Sequence, residues 1–199
     1  MKGWIVYRGF QLQQLASRMF CNLFMRCYGW LWGIDSSDGL QFFGCARYFR
    51  HPSARISIGN HVTFRSAPAS NTMGLNRACF LSANVDATLI IGDGCGLSGT
   101  VIAAHQHISL GQRVMCGVNV TITDSDRHPL DKVARQQGHA GRPEPVYICD
   151  DVWLGMNVVV LKGVTIGAGA VIAANSVVVS DIPAGCLAAG QPAKVKRAI

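Results

Sequence analysis

From residue 148 onward the apolar residues recur neither every third or fourth position nor every second one, but every sixth. Written in sixes, residues 148–183 read ICDDVW, LGMNVV, VLKGVT, IGAGAV, IAANSV and VVSDIP, with Ile148, Leu154, Val160, Ile166, Ile172 and Val178 in first place. The fifth place is small or branched: Val152, Val158, Val164, Ala170, Ser176 and Ile182. Neither a helix nor an alternating strand keeps one face apolar at that spacing, whereas a triangular solenoid with six residues per side does. Three sixes close one coil, so this block predicts two coils. The period extends backwards with breaks through Ile58, Phe64, Val85, Ile91 and Leu97 and, after a one-residue slip, Ala104, Leu110, Cys116 and Ile122. The solenoid is therefore expected over residues 51–183, starting near Pro52.

Two segments interrupt it. Residues 66–84, rich in Ser, Pro, Asn and Gly, read as a degenerate coil or as a loop lying against the solenoid. Residues 123–147 are polar and contain three prolines, a long excursion of the kind that carries function when it leaves a rigid scaffold. Residues 1–50 form a leader and residues 184–199 a tail. Within the leader, Leu12, Leu15, Met19, Leu23, Cys27 and Leu31 recur at helical spacing beside a polar line of Arg18, Asn22 and Arg26, which predicts a basic amphipathic helix over residues 1–33. Arg8, Arg18 and Arg26 interrupt it too often for a transmembrane span, and no apolar run with a cleavage site marks a signal peptide. Two readings stay open: a cap on the open first coil, or peripheral attachment to an anionic membrane through Phe10, Phe20, Phe24, Trp30, Trp32 and the arginines.

A chain of 199 residues suffices for one domain with appendages. Its 22 glycines and few aromatic residues suit tight corners and a narrow interior. The net charge of +7 favours anionic partners such as a phosphorylated cofactor, an acidic glycan or anionic lipid. No basic run or recognition motif points to nucleic acid. Eight cysteines without CxxC spacing, two of them (Cys95 and Cys116) at interior positions of the repeat, read as reduced thiols of a cytoplasmic protein, which the leader could bring to the inner face of the membrane.

The run GLSGTVIAAHQHISLGQRVMCGVNVTITDSDRHPLD, followed by VYICDDVWLGMNVVVLKGVTIGAGAVIAANSVVVSDIPAGCLAAGQPAKVKR, closely resembles the hexapeptide-repeat acyltransferases. Within them it is most similar to the bacterial polysaccharide and sugar O-acetyltransferases related to the galactoside and maltose acetyltransferases. The likeness is good over residues 90–197, loose over 52–89 and nearly absent before. It implies a mainly β fold, a left-handed parallel β-helix, and a homotrimer with active sites between subunits. It also implies acetyl-CoA as co-substrate, no metal, and a sugar or glycan acceptor. The acceptor hydroxyl needs a base as it attacks the thioester, and His128 in DSDRHPL matches the family's catalytic histidine. Asp126 and Asp124 could support its imidazole, or hold the turn through Asx hydrogen bonds.

For acetyl-CoA the resemblance implies Trp153 and Gly155 at the thioester and pantetheine end, Ala173 and Ala174 flanking the arm, and Lys194 and Arg197 at the phosphates. Lys162 reads as a solvated lysine. On the acceptor side Leu97, Ser98 and Gly99 stand where galactoside-type relatives carry an asparagine, a departure that fits the polysaccharide branch. Direct transfer needs no nucleophile, though Cys116 and Cys149 lie near the excursion and an acyl-cysteine is the competing route. Three further readings compete: N-acetylation of an amino sugar on the same scaffold, a zinc site of His105, His107 and His128 like that of the γ-class carbonic anhydrases, and an inactive binding scaffold.

Overall fold

The computed structural model describes residues 2–199. A long helix, α1 (Lys2–Leu31), is followed by six coils of three short strands each. Coil one is β1 (Asp35–Ser36), β2 (Gln41–Phe43) and β3 (Arg47–Arg50); coil two is β4 (Arg55–Ile58), β5 (Thr63–Arg65) and β6 (Phe80–Ala83). Coil three is β7 (Thr88–Ile91), β8 (Gly96–Ser98) and β9 (Val101–Ala104); coil four is β10 (His107–Leu110), β11 (Met115–Val118) and β12 (Thr121–Thr123). After an excursion with one short helix, α2 (Lys132–Gln136), coil five is β13 (Val146–Ile148), β14 (Trp153–Leu154) and β15 (Val159–Val160). Coil six is β16 (Thr165–Ile166), β17 (Val171–Ile172) and β18 (Val177–Val178). Corresponding strands of successive coils pair in parallel, giving three sheets that form the sides of a triangular prism.

Because the coils stack in register, each buried residue rests on its equivalent one coil away. The second sheet aligns Phe42, Phe64, Leu97, Cys116, Leu154, Ile172 and Ala188. All seven are buried, and the Phe42 and Phe64 rings stack at 4.9 Å. In the first sheet Ile58, Ile91, Leu110, Ile148 and Ile166 form the matching column. Every first-place and fifth-place residue of the 148–183 block is buried, as the period of six predicts. At the corners between second and third sheets Asn119, Asn157 and Asn175 adopt left-handed φ angles of 60, 57 and 60°. Asn tolerates that region, so the corners are not reserved for glycine. The Asn157 amide donates to the Asn175 side-chain oxygen one coil on, at 3.1 Å.

The solenoid starts earlier than the period suggests. Residues 35–50, assigned to the leader by the hexapeptide pattern, form a complete coil whose strands pair with coil two. They escape the pattern because this terminal coil carries Phe42 and Tyr48 and is closed by a helix rather than by another coil. Val85 also departs: it is 59% exposed, because β6 already occupies Phe80–Ala83 and the chain turns through Asp86 with φ of 56°. The 66–79 segment is a loop held against the solenoid by Arg77, whose guanidinium donates to the carbonyls of Gly99 (2.9 Å), Asn119 (2.6 Å) and Val120 (3.0 Å). At the far end β19 (Cys186–Gly190) joins the second sheet in parallel and β20 (Ala193–Ala198) returns antiparallel on it, covering the open edge.

The helix caps coil one, but with the face opposite to the one its apolar stripe predicts. Cys21 and Met25 enter the core, and Gly29 is buried beside Tyr48. From the predicted polar line, Asn22 accepts the Phe42 backbone N–H at 2.7 Å and Arg18 donates to the Gln41 side chain at 3.0 Å. An edge strand offers unpaired N–H groups, so a polar side chain is what its cap requires. Leu12, Leu15, Met19, Leu23 and Leu31 all face solvent. Accordingly, Met25→Ala should lower the unfolding free energy by about 2–5 kcal/mol, while Leu12→Ala should stay within about 0.5 kcal/mol, as read by urea unfolding followed by circular dichroism.

Candidate active site

His128 sits on the excursion that leaves β12 at the corner between third and first sheets. The base of this excursion is pinned from several sides. Asp124, fully buried at 0% exposure, accepts the backbone N–H groups of His105 (2.7 Å), Gln106 and His107 (both 2.8 Å), holding the corner that leads into coil four. The outgoing and returning arms pair at Ser125 and Pro143, at Gly141 N–H to Arg127 carbonyl (3.1 Å) and at Glu144 N–H to Asp124 carbonyl (2.8 Å). Gly141 permits the closest approach, since a Cβ there would lie 2.9 Å from the backbone N and O of His128. The Asp126 carboxylate pairs with Lys162 of coil five at 2.5 Å, and Lys162 also donates to the Arg142 carbonyl at 3.0 Å. Asp126, with Glu144 behind it, holds the Lys162 ammonium above its usual pKa.

Two sequence readings change here. Asp124 and Asp126 stand among the catalytic candidates, yet neither carboxylate reaches the imidazole of its own chain: one binds three backbone amides and the other a lysine. Both fix the excursion. Lys162 is not a freely solvated lysine but the pin that ties the excursion to coil five. The His128 side chain is left exposed, its backbone N–H donating to the Asp126 carbonyl at 2.7 Å.

The residues matched to acetyl-CoA gather elsewhere. Trp153 lies on the outer face of the second sheet, half exposed, in a row that runs Gly96, Met115, Trp153, Val171, Leu187, Arg197 across six strands. Gly155, Ala173 and Ala174 form the corner between second and third sheets. Lys194 of β20 pairs with Ala189 of β19, and the turn between the two strands is held by the Ser176 hydroxyl, which accepts the Gly190 N–H at 3.1 Å. A Cβ on Gly155 would come within 2.7 Å of the Ala174 nitrogen, so coil stacking alone demands glycine at that position. Ala174 is exposed and Ala173 half-buried, leaving this corner without bulk, and Lys194 and Arg197 are exposed cations beside it. The surface therefore suits an extended arm ending in phosphates.

Along the same row a groove of about 420 Å³ opens between Arg65, Asn71, Ser98, Met115 and Trp153. Asn71 comes from the 66–79 loop, and its amide donates to the Ser98 hydroxyl at 3.3 Å. An asparagine thus reaches Ser98 from 27 residues away in the sequence, at the place where the repeat itself carries none. No local motif could announce it; the only signal was the polar composition of the interrupting segment. In triangular section the second sheet lies opposite the corner that bears His128, so the body of the solenoid stands between this groove and the histidine of the same chain.

The competing chemistries find little support. Among the described residues no group of three metal-binding side chains comes together. His107 packs on Tyr147 with ring centres 5.3 Å apart, and the His105 ring lies 3.3 Å from the Asn84 amide. Cys116 is a core residue whose thiol burial pushes far above its normal pKa, the reverse of what a nucleophile needs. Cys149 is half-buried.

Residues 145–180 match the family described as bacterial transferase hexapeptide (six repeats). The chain is 48% identical over 92 residues to a galactoside O-acetyltransferase of Lactococcus lactis, covering 46% of this chain and 44% of that protein. Over 55 residues it is 54% identical to a 2,3,4,5-tetrahydropyridine-2,6-dicarboxylate N-acetyltransferase of Clostridium perfringens, covering 28% and 23%. The chain thus spans less than half the length of these curated relatives. Among solved structures it superposes on a hexapeptide-repeat-containing acetyltransferase of Vibrio cholerae, complexed with acetyl coenzyme A, with a TM-score of 0.52 and 28% identity over 83% of this chain and 71% of that one. The prism is accordingly the left-handed parallel β-helix of these proteins.

The pinning of the excursion is testable without substrate. In Lys162→Ala, trypsin should cut at Arg127, Lys132, Arg135 or Arg142 about tenfold faster. Asp124→Ala should lower stability by about 3 kcal/mol in urea unfolding, because three amides lose a charged acceptor.

Proposed function

We propose, from the hexapeptide match of residues 145–180 and the likeness of part of the chain to acetyltransferases, that the protein is an acetyl-CoA-dependent O-acetyltransferase acting on a sugar hydroxyl of a surface polysaccharide or its precursor. The observation that carries this reading is the division of parts: an exposed histidine on a pinned excursion at one corner, and a small-residue corner with tail cations and a groove on the opposite side. In a homotrimer each site would take His128 from one chain and the groove and cofactor corner from its neighbour.

Acetyl-CoA would lie along Gly155, Ala173 and Ala174 with its phosphates toward Lys194 and Arg197 and its thioester near Trp153. The acceptor would occupy the groove, held by Asn71, Ser98 and Arg65. The His128 imidazole takes the proton of the attacking hydroxyl as its oxygen bonds to the thioester carbonyl carbon. Collapse of the tetrahedral intermediate breaks the carbon–sulfur bond, and the imidazolium returns the proton to the leaving thiolate, giving an ester and CoA. Asp124, Asp126 and Lys162 act on His128 through the backbone that carries it, as positioning residues. Contact of residues 2–33 with a membrane concerns the far end of the molecule and does not enter this reaction; Met1 lies outside the described residues.

The likeness to an N-acetyltransferase keeps amide formation as the second reading, and the product decides: an ester is cleaved by mild alkali, whereas an amide survives. His128→Ala should lower turnover on the order of 100-fold or more with acetyl-CoA affinity nearly unchanged; near-normal turnover would sink the assignment. Lys194→Ala with Arg197→Ala should raise the KM for acetyl-CoA and spare that of the acceptor.

A further inference from the structure

One large surface is left unused by the fold and by the proposed reaction. The face of α1 turned away from coil one carries Ile5, Leu12, Met19, Leu23 and Trp30, each more than half exposed and Trp30 78% exposed. They recur at helical spacing, so they form one continuous stripe about 37 Å long, at 1.5 Å per residue from Ile5 to Trp30. A stripe of this kind on a free surface marks an interaction site. The helix contains no acidic residue, and Lys2, Arg8 and Arg26 are exposed. It is too polar to cross a bilayer: among the described residues no helix is long and apolar enough for that.

We propose that this face of α1 is a docking surface for an anionic lipid bilayer, on which the solenoid stands by its first coil. The geometry selects the occupant. Cys21 and Met25 plug the interior of coil one and Asn22 binds its edge strand, so the opposite face of the helix points outward along the solenoid axis. A flat surface covers its whole length at once. The combination of an apolar stripe, aromatic side chains at the rim and basic residues without acids is what an interfacial helix requires: the apolar face enters the acyl boundary and the cations meet the anionic headgroups. Two of the polar residues of the helix, Arg18 and Asn22, are spent on the protein, while Lys2, Arg8 and Arg26 stay exposed. This inference is independent of the proposed reaction.

The test is co-sedimentation of the full chain with vesicles of phosphatidylcholine alone and of phosphatidylcholine mixed with phosphatidylserine. Binding to the mixed vesicles should exceed binding to the neutral ones by about tenfold and weaken as salt is raised. The variant L12Q/L23Q, which removes apolar surface at two solvent-facing positions, should abolish binding. R8Q/R26Q, which breaks no side-chain hydrogen bond and loses only the stacking of Arg8 on the Trp4 ring of the same helix, should reduce it to the neutral-vesicle level. Circular dichroism identical to the parent shows that both variants remain folded. Failure of the parent to sediment with the mixed vesicles overturns the proposal. So does binding that survives both variants. A third overturning result is concentration-dependent end-to-end pairing without vesicle binding, lost in L12Q/L23Q, which would assign the stripe to a second copy of this chain.

Discussion

In-register parallel stacking governs this molecule. A single coil of three strands buries nothing by itself; its interior residues are covered only by the equivalent residues above and below. Phe42 lies on Phe64, Leu154 on Cys116, and Val178 on Val160. This forbids insertions within a strand and tolerates them only at corners, where the chain is already leaving the sheet. Both long interruptions obey the rule: 66–79 departs between second and third sheets and 124–145 between third and first. It also leaves two open ends, which the chain closes by different means, a helix at one and an antiparallel strand at the other.

The same constraint sorts what could be read in the sequence from what could not. Where coils stack on coils, a six-residue period is imposed on every residue, and positions such as Ile148 and Val152 are recognisable from spacing alone. Coil one stacks on a helix instead. Its interior is filled by Phe42, Tyr48 and Met25, residues no hexapeptide rule anticipates. The helix misled for a related reason. Apolar periodicity reports which face is apolar, not which is buried, and a cap over an edge strand must satisfy backbone groups, a task that fell to Asn22. At the candidate site, His128 and the tail cations were legible through the family likeness. Asn71, Arg77 and Lys162 were not, since their partners Ser98, Asn119 and Asp126 lie 27, 42 and 36 residues away and meet them only after the coils have closed.

A division of labour follows for the excursion. Its sequence is polar and rich in ionisable groups, but most of these hold the segment in place. Asp124 spends its charge on the corner of the preceding coil, and Asp126 with Lys162 binds the segment to the following one. Asp131 caps α2 by accepting the Ala134 N–H at 2.8 Å. What is left unengaged at the base is the imidazole of His128. A histidine held by its backbone while its ring stays free can be addressed by a group from outside the chain, as the proposed sharing of this base across a subunit boundary requires.

The regular stacking has a metric consequence. Parallel strands are spaced by about 4.8 Å, so each coil is a unit of length along the prism, and the His128 excursion leaves three coils beyond the one that α1 covers. That sets it about 14 Å from the plane of coil one, by the same spacing. A whole coil gained or lost between them would move the histidine by one unit relative to the helix without changing any residue at either place. The number of coils in this chain is thus a ruler, and the distance between its two ends is encoded by counting rather than by any particular side chain.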